Sequence, residues 1–128
     1  MRVLLDTHLL IWWEANHPRL PATVKQLLRK EVEAVFISRA SLWEIAIKVS
    51  NGQLKMNIAK FADNVEKHGF VWLDIKNEHL IAVAVLPVFD DHRNPFDRLL
   101  VAQSQTEPLV LLTADSKLAR YGSTVRVV

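Results

Sequence analysis

Short, uniformly apolar runs recur along this chain, and each is followed by a stretch with helical character. The runs are Val3-Leu4-Leu5, Val35-Phe36-Ile37, Phe70 to Leu73 and Leu109 to Leu112. A strand with one wet face alternates apolar and polar residues, whereas a strand apolar at every position is covered on both faces. Parallel neighbours also require crossover connections, for which a helix is the usual solution. The pattern therefore predicts an α/β fold with helices on both faces of a mainly parallel sheet.

The connecting stretches carry their own start and stop signals. A helix is expected from Thr7 to about Ala15, broken by Asn16-His17-Pro18. Pro21 opens a second, apolar at Val24, Leu27 and Leu28 and ending near Glu33. Ser38 to Ser50 reads as the next, stopped by Asn51-Gly52, since glycine tolerates the left-handed cap conformation. Further helices are expected from Ile58 to His68, stopped by Gly69, and from Asn77 as a cap through Leu86. Asn94-Pro95 opens one that runs to about Gln105, a short one spans Ser116 to Arg120, and Thr124 to Val127 closes the chain. The extra helices between the second and third strands do not fit a plain flavodoxin-like count.

Composition narrows the class. At 128 residues the chain suits one domain, residues 1–128, with one core. It contains no cysteine, which excludes disulfides and thiolate metal sites and points to a reducing, cytoplasmic compartment. The longest early apolar run, Leu9 to Trp13, is too short to span a bilayer, and no small-residue cleavage site follows it, so neither a membrane anchor nor a signal peptide is expected. A net charge of +2 and a pI near 9.1 are mildly basic, and would not by themselves argue for nucleic acid.

In open parallel sheets ligands collect beyond the carboxyl ends of the strands. Asp6 and Asp115 lie at or just past the ends of strands one and four, Glu44 lies in the helix after strand two, and Asp97 in the first turn of the helix before strand four. Hard oxygen ligands of this kind suit Mg²⁺ or Mn²⁺. Each acid also has a purely structural reading. Glu44 stands three after Ser41, as in a capping box, and four before Lys48. Asp97 stands three after Asn94, where a carboxylate favours a helix N-terminus, and Asp115 could cap the last helix. Asp6 is harder to treat so, because a carboxylate ending a buried strand is costly unless something pairs or coordinates it.

The same residues carry a resemblance. Met1 to Asp6-Thr7-His8 resembles the opening of a PIN domain; Ser38 to Lys48, His92 to Leu100, and Leu112-Thr113-Ala114-Asp115 resemble the second, third and fourth motifs of its VapC-type toxin members. The resemblance implies a three-layer α/β/α sandwich, hydrolysis of RNA phosphodiesters, a cognate antitoxin as partner, and a homodimer. It departs from the pattern at Asn94, where many relatives have an acid; the residue can still cap its helix.

On this reading Asp6 and Asp97 are the main metal ligands, Glu44 ligates or orients the attacking water, and Asp115 is a ligand or supporting acid. Thr7 and Ser38 could contact a phosphate or simply cap helices. Arg39, Lys48, Arg93 and Arg98 flank the acids and could hold the RNA backbone, Arg98 alternatively pairing with a carboxylate. His92 is a further candidate for substrate contact. Trp12, Trp13 and Trp43 lie in apolar helices, which favours packing over base stacking, with Trp13 the one expected to be exposed. A receiver-like domain would need an acidic neighbour beside Asp6, and a haloacid-dehalogenase-type phosphatase an aspartate where His8 stands. The remaining alternative is a PIN-fold binding module with weak or lost catalysis, against which the four intact acids argue.

Overall fold

A computed structural model describes all 128 residues. The strands are β1 (Arg2–Leu5), β2 (Ala34–Ser38), β3 (Val71–Leu73), β4 (Val110–Thr113) and β5 (Val125–Val127), paired in parallel in the order β3-β2-β1-β4-β5. The four apolar runs are strands to within a residue at either end, and the closing segment is a fifth. Around them stand α1 (Thr7–Glu14), α2 (Ala22–Gln26, continued as a π turn over Leu27–Glu31), α3 (Arg39–Ser50), α4 (Ile58–Lys67), α5 (Asn77–Val83) and α6 (Pro95–Thr106), with a 3₁₀ turn at Ser116–Tyr121. No helix is long and apolar enough to cross a membrane.

The two-residue period of the strands divides the core into two layers of side chains. Val3, Leu5, Val35, Ile37 and Leu112 enter one cluster with Leu9, Leu10, Leu28, Ile45 and Phe61. Leu4 and Leu111, one residue out of phase, enter the other with Leu100, Val101, Leu118 and Tyr121. The result is the expected three-layer α/β/α sandwich. Gly52 and Gly69 adopt φ of +80° and +79°, the left-handed conformation that ends α3 and α4 where the sequence placed their stops.

Three expectations are corrected. The α3 cap is Ser38, whose Oγ accepts from the Ala40 amide at 3.0 Å, so Ser41 and Glu44 do not form a capping box. Ser41 Oγ instead accepts from Thr7 Oγ1 at 2.8 Å, joining the starts of α1 and α3. The α5 cap position falls on Lys76, not Asn77, because the His79 ring accepts from the Lys76 amide at 3.0 Å; that helix stops at Val83 rather than Leu86. The exposed tryptophan is Trp43, at 58%, whereas Trp13 packs against the first core cluster.

The corrected cap is testable. Ser38→Ala is expected to destabilise the protein by about 1 kcal/mol, the usual value of a serine cap, and to speed hydrogen exchange at the Ala40 amide. Ser41→Ala is expected to leave Ala40 exchange unchanged. The reverse pattern in a two-dimensional NMR exchange experiment would restore the capping-box reading.

Candidate active site

The strand order reverses direction between β1 and β4. Chain connections leave to opposite sides there, which opens a crevice at the carboxyl ends of the two strands. Asp6 stands at this point. Its amide donates to Leu112 O at 3.0 Å, extending the β1–β4 pairing by one residue, and its side chain caps α1 by accepting from the His8 amide at 2.7 Å. The second carboxylate oxygen accepts from Thr113 Oγ1, at the end of β4. Asp6 is only 3% exposed, so these bonds offset part of the cost of burying its charge.

Thr113 continues the chain of contacts, since its Oγ1 also accepts from the Asp115 amide at 3.0 Å. Asp115 caps the 3₁₀ turn through the Lys117 amide and is the most open of the four acids. Glu44 reaches in from the second turn of α3 and is 5% exposed. Its Oε1 is buried without a hydrogen-bond partner, and its Oε2 lies 3.9 Å from Lys48 Nζ. A buried carboxylate oxygen lacking a partner is unfavourable, and a bound cation or water is one way to satisfy it.

Asp97 comes from the first turn of α6, which Asn94 caps by accepting from the Phe96 and Asp97 amides at 2.9 and 3.3 Å. Its pKa is pushed from 3.8 up to about 6, first by burial, then by the negative charges of Asp6 and Glu44, with His92 acting in the opposite sense. Asp6 and Glu44 therefore both lie close enough to Asp97 to oppose its ionisation. Asp6, Asp97 and Asp115 line a cleft of about 210 Å³ together with His8, Trp12 and Ala114.

His92 lies on the loop before α6 yet is buried, and it sits between Asp97 and Tyr121. Arginine can only donate, so the Tyr121 hydroxyl accepts from Arg98 Nη1 at 3.2 Å, and it shares a second hydrogen bond with His92 Nδ1 at 3.1 Å. His92 Nε2 lies 3.2 Å from Asp97 Oδ2, and an ionised Asp97 can only accept, so the ring nitrogen donates to it in that state. His92, Asp97 and Asp115 present possible ligand atoms within 4.8 Å of one another. His92 Nε2 is engaged with Asp97 Oδ2, and the acids that line the cleft, Asp6, Asp97 and Asp115, offer oxygens as donors.

The structure thus brings Asp6, Glu44 and Asp97 together, with Asp115 at the rim. Of the expected substrate contacts, Thr7 and Ser38 are buried and engaged in the framework, so neither hydroxyl is open to a phosphate. Arg98 donates to Pro87 O and Tyr121 and pairs with no carboxylate, since the turn after α5 meets it first. Arg39 and Arg93 are on the surface, paired with Asp74 and Asp90. Thr113, Tyr121, His8 and Trp12 belong to the site and are not assigned by the sequence reading. The spacing of His8 and Trp12, four apart on a helix that starts beside Asp6, was the available signal; nothing in the pattern marks Tyr121.

Linkage gives the sign of a test. An acid whose pKa is higher in the folded state than in the unfolded chain destabilises the fold once ionised. The Asp97 penalty is absent below its ordinary pKa of 3.8 and fully present above about 6. Asp97→Asn keeps the His92 bond and removes the charge. Above about pH 7 the metal-free variant is expected to be as stable as the parent, or up to roughly 1–2 kcal/mol more stable, and the gain should fade as pH falls toward 4. A melting temperature that drops at neutral pH would show that Asp97 acts as a helix cap and not as a member of a repelling cluster.

Comparison with known proteins places this geometry in a family. A family model described as PIN domain matches residues 3–123. No curated protein matches the sequence. Among solved structures, VapBC2 from Rickettsia felis bound to a DNA fragment from their promoter aligns with a TM-score of 0.72 at 17% identity, covering 99% of this chain and 97% of that one. A toxin–antitoxin complex from Klebsiella pneumoniae gives 0.69 at 17% identity, with 98% and 96% covered. FitAcB from Neisseria gonorrhoeae gives 0.64 at 20%, with 92% and 90% covered.

Proposed function

The chain belongs to the PIN domain family, and on that premise we propose that it is a metal-dependent endoribonuclease, one PIN domain over residues 1–128, acting as the toxin of a toxin–antitoxin pair. The observation that carries the nuclease reading is the acidic cluster at the switch point, in which Asp97 is pushed up to about 6 by burial and by Asp6 and Glu44. Like charges held together in a half-closed cleft are unfavourable unless a cation neutralises them. The unpartnered Glu44 Oε1 and the all-oxygen donor set fit Mg²⁺ or Mn²⁺. Asp6, Asp97 and Glu44 would hold it, with Asp115 as a fourth ligand or a support.

A divalent cation bound there would lower the pKa of a ligand water and offset charge on the scissile phosphate. The protein's own contribution is positioning. Thr113 and the His8 amide each hold one Asp6 oxygen, and an oxygen accepting one bond keeps a second lone pair for a cation. His92 holds Asp97 by Oδ2 alone and leaves Oδ1 free. No histidine is required as general base. Lys48, Arg39 and Arg93 are proposed to meet the RNA backbone, since the exposed pairs of Arg39 and Arg93 are weak enough to exchange for phosphate.

The likeness to VapBC2 and to the Klebsiella toxin–antitoxin complex supports a protein partner. A groove of about 290 Å³ between α1 and α4, with Ile11, Leu54, Met56 and Phe61 in its wall, suits an apolar antitoxin segment. An arginine from that segment would reach the acids and pair with them bidentately. On the other side, Trp43, Leu80 and Ile81 are exposed on α3 and α5, beside an apolar groove of about 250 Å³, and this face is proposed to meet a second copy. A cytoplasmic setting is part of the same proposal.

Purified protein incubated with total RNA, with and without Mn²⁺ or Mg²⁺ and followed by sequencing of the ends, is expected to give metal-dependent cuts. Asp6→Ala, Glu44→Ala and Asp97→Ala should each abolish them and relieve growth inhibition, while Asp115→Ala should be milder. A folded Asp97→Ala protein with full activity would overturn the ligand assignment. A second outcome concerns the partner: in a toxin–antitoxin complex the acid cleft should be covered and cleavage lost, so a complex that leaves it open and active argues against the antitoxin reading.

A further inference from the structure

The modest basicity of this chain is concentrated in one stretch. No acid lies among residues 15–30, while Arg19, Lys25, Arg29 and Lys30 fall there, four of the 16 lysines and arginines in the sequence. None of the four has a carboxylate within ion-pair distance, whereas Arg39, Lys48, Arg93 and Arg120 each face one. Like charges gathered on a surface without counter-charges attract an anion. The acid cleft is built the opposite way: of its six lining residues three are carboxylates and none is lysine or arginine. A polyanion that reaches that cleft therefore needs cations elsewhere to hold it.

The acid-free stretch folds into such a place. Lys25 and Arg29, four apart where α2 passes into its π turn, line a hollow of about 210 Å³ with Trp13, Asn16, Leu20 and His68. That is the room of roughly seven waters, enough for a phosphodiester group and part of its hydration. Both cations are held in place without being neutralised. Lys25 Nζ donates to Asn16 Oδ1 at 3.1 Å, and the Arg29 guanidinium lies over the Trp13 ring, 5.6 Å from its centroid, which leaves its N–H donors for an acceptor. Glu14, the acid before the stretch, has its Oε1 3.0 Å from His68 Nε2 and does not line the hollow. Helix α1 connects the two sites: Trp12 lines the cleft and its neighbour Trp13 lines the hollow, on a helix whose cap is Asp6. At 1.5 Å per residue Trp13 lies about 9 Å along the axis from Thr7, roughly three steps of a nucleic-acid strand.

We propose that Lys25 and Arg29 form a seat for a backbone phosphate of the RNA, a few nucleotides from the phosphate that is cut. The inference rests on the nuclease reading above and adds to it an anchoring site outside the cleft. The seat differs from the contacts assigned to Arg39 and Arg93, which give up a carboxylate before they take a phosphate. Lys25 and Arg29 have none to give up, and binding there releases only counterions. The apolar groove assigned to a protein partner lies on the α4 side of α1, so the two ligands use different surfaces.

The test follows binding of a fluorescein-labelled RNA of mixed sequence by anisotropy, in Ca²⁺ as a hard cation for oxygen ligands and over a series of KCl concentrations. Cleavage of total RNA in Mn²⁺ is measured alongside. The double variant Lys25→Gln, Arg29→Gln should lose roughly ten-fold or more in affinity near 0.1 M salt, and its slope of log affinity against log salt should flatten by about 1.4, the value for two phosphate contacts on a single strand. Its cleavage should be slower at low RNA and reach the parent's rate at saturating RNA, a change in KM and not in kcat. Lys25→Arg with Arg29→Lys, which keeps both charges, should retain most of the affinity. If the double variant does not fold, Arg29→Gln at its exposed position decides alone, with a flattening of about 0.7. An unchanged salt slope in the folded variants, with cleavage intact, would overturn the seat and leave the nuclease reading standing. Loss of binding to a poly-glutamate peptide with none to RNA would overturn it too, and assign the hollow to an acidic protein segment. A parent that binds and cleaves no RNA would instead overturn the nuclease reading on which the seat depends.

Discussion

The carboxylate of Asp6, buried at the end of the central strand, is the constraint around which this structure is arranged. An ionised group in that position is unfavourable unless several donors meet it. The sheet supplies them because β1 is flanked by β4, whose last residue is Thr113, and is followed directly by α1, whose first turn offers the His8 amide. The strand order, the tight turn into α1 and the hydroxyl at the end of β4 are thus parts of one solution. Moving β4 away from β1 would remove the Thr113 bond and the extension of the ladder through the Asp6 amide together.

The second layer of organisation answers the repulsion that Asp6 creates. Glu44 and Asp97 arrive from helices on different connections, and burial, then the charges of Asp6 and Glu44, raise the pKa of Asp97 above the ordinary range. The fold does not relieve this with a lysine or arginine inside the cleft. It uses His92, whose bond to Asp97 lowers that pKa, and holds the ring through Tyr121 and Arg98. Orientation is thereby imposed on Asp97 through one oxygen, and its other oxygen stays available. Such an unresolved excess of negative charge is what a fold stabilised for its own sake would avoid, and it is common where function requires it.

The sequence was legible where a single local rule governs the outcome. Unbroken apolar runs gave four strands to within a residue, and glycines at positive φ closed α3 and α4. The four acids were legible because each follows a strand end or opens a helix, and these ends converge on one edge of a parallel sheet. Legibility failed where two local rules compete. Ser38 and Ser41 both satisfy a capping pattern, and only the position of the strand end selects Ser38. His92 reads as a loop residue, yet Tyr121, twenty-nine positions later, draws it into the interior. That contact depends on how the 3₁₀ turn packs below α6, which no periodicity in the chain specifies. The tryptophans failed for a similar reason: the exposed face of α3 was not distinguishable from its buried face until α5 and α6 were in place around Trp43.

Asn94 can be understood from the same electrostatics. Its position at the start of α6 calls for a side-chain oxygen that accepts from the amides two and three residues on, and the residue does this at 2.9 and 3.3 Å. An aspartate would cap equally well and would gain from the helix dipole. It would also place another charge three residues from Asp97, whose ionisation is already opposed by burial and two acids. The neutral cap keeps the amide bonds without adding to that opposition. A neutral residue in place of an acid here therefore alters the charge of the site and leaves its scaffold intact. What it changes is a balance: more negative charge would favour any bound cation, and less charge favours the protein without one.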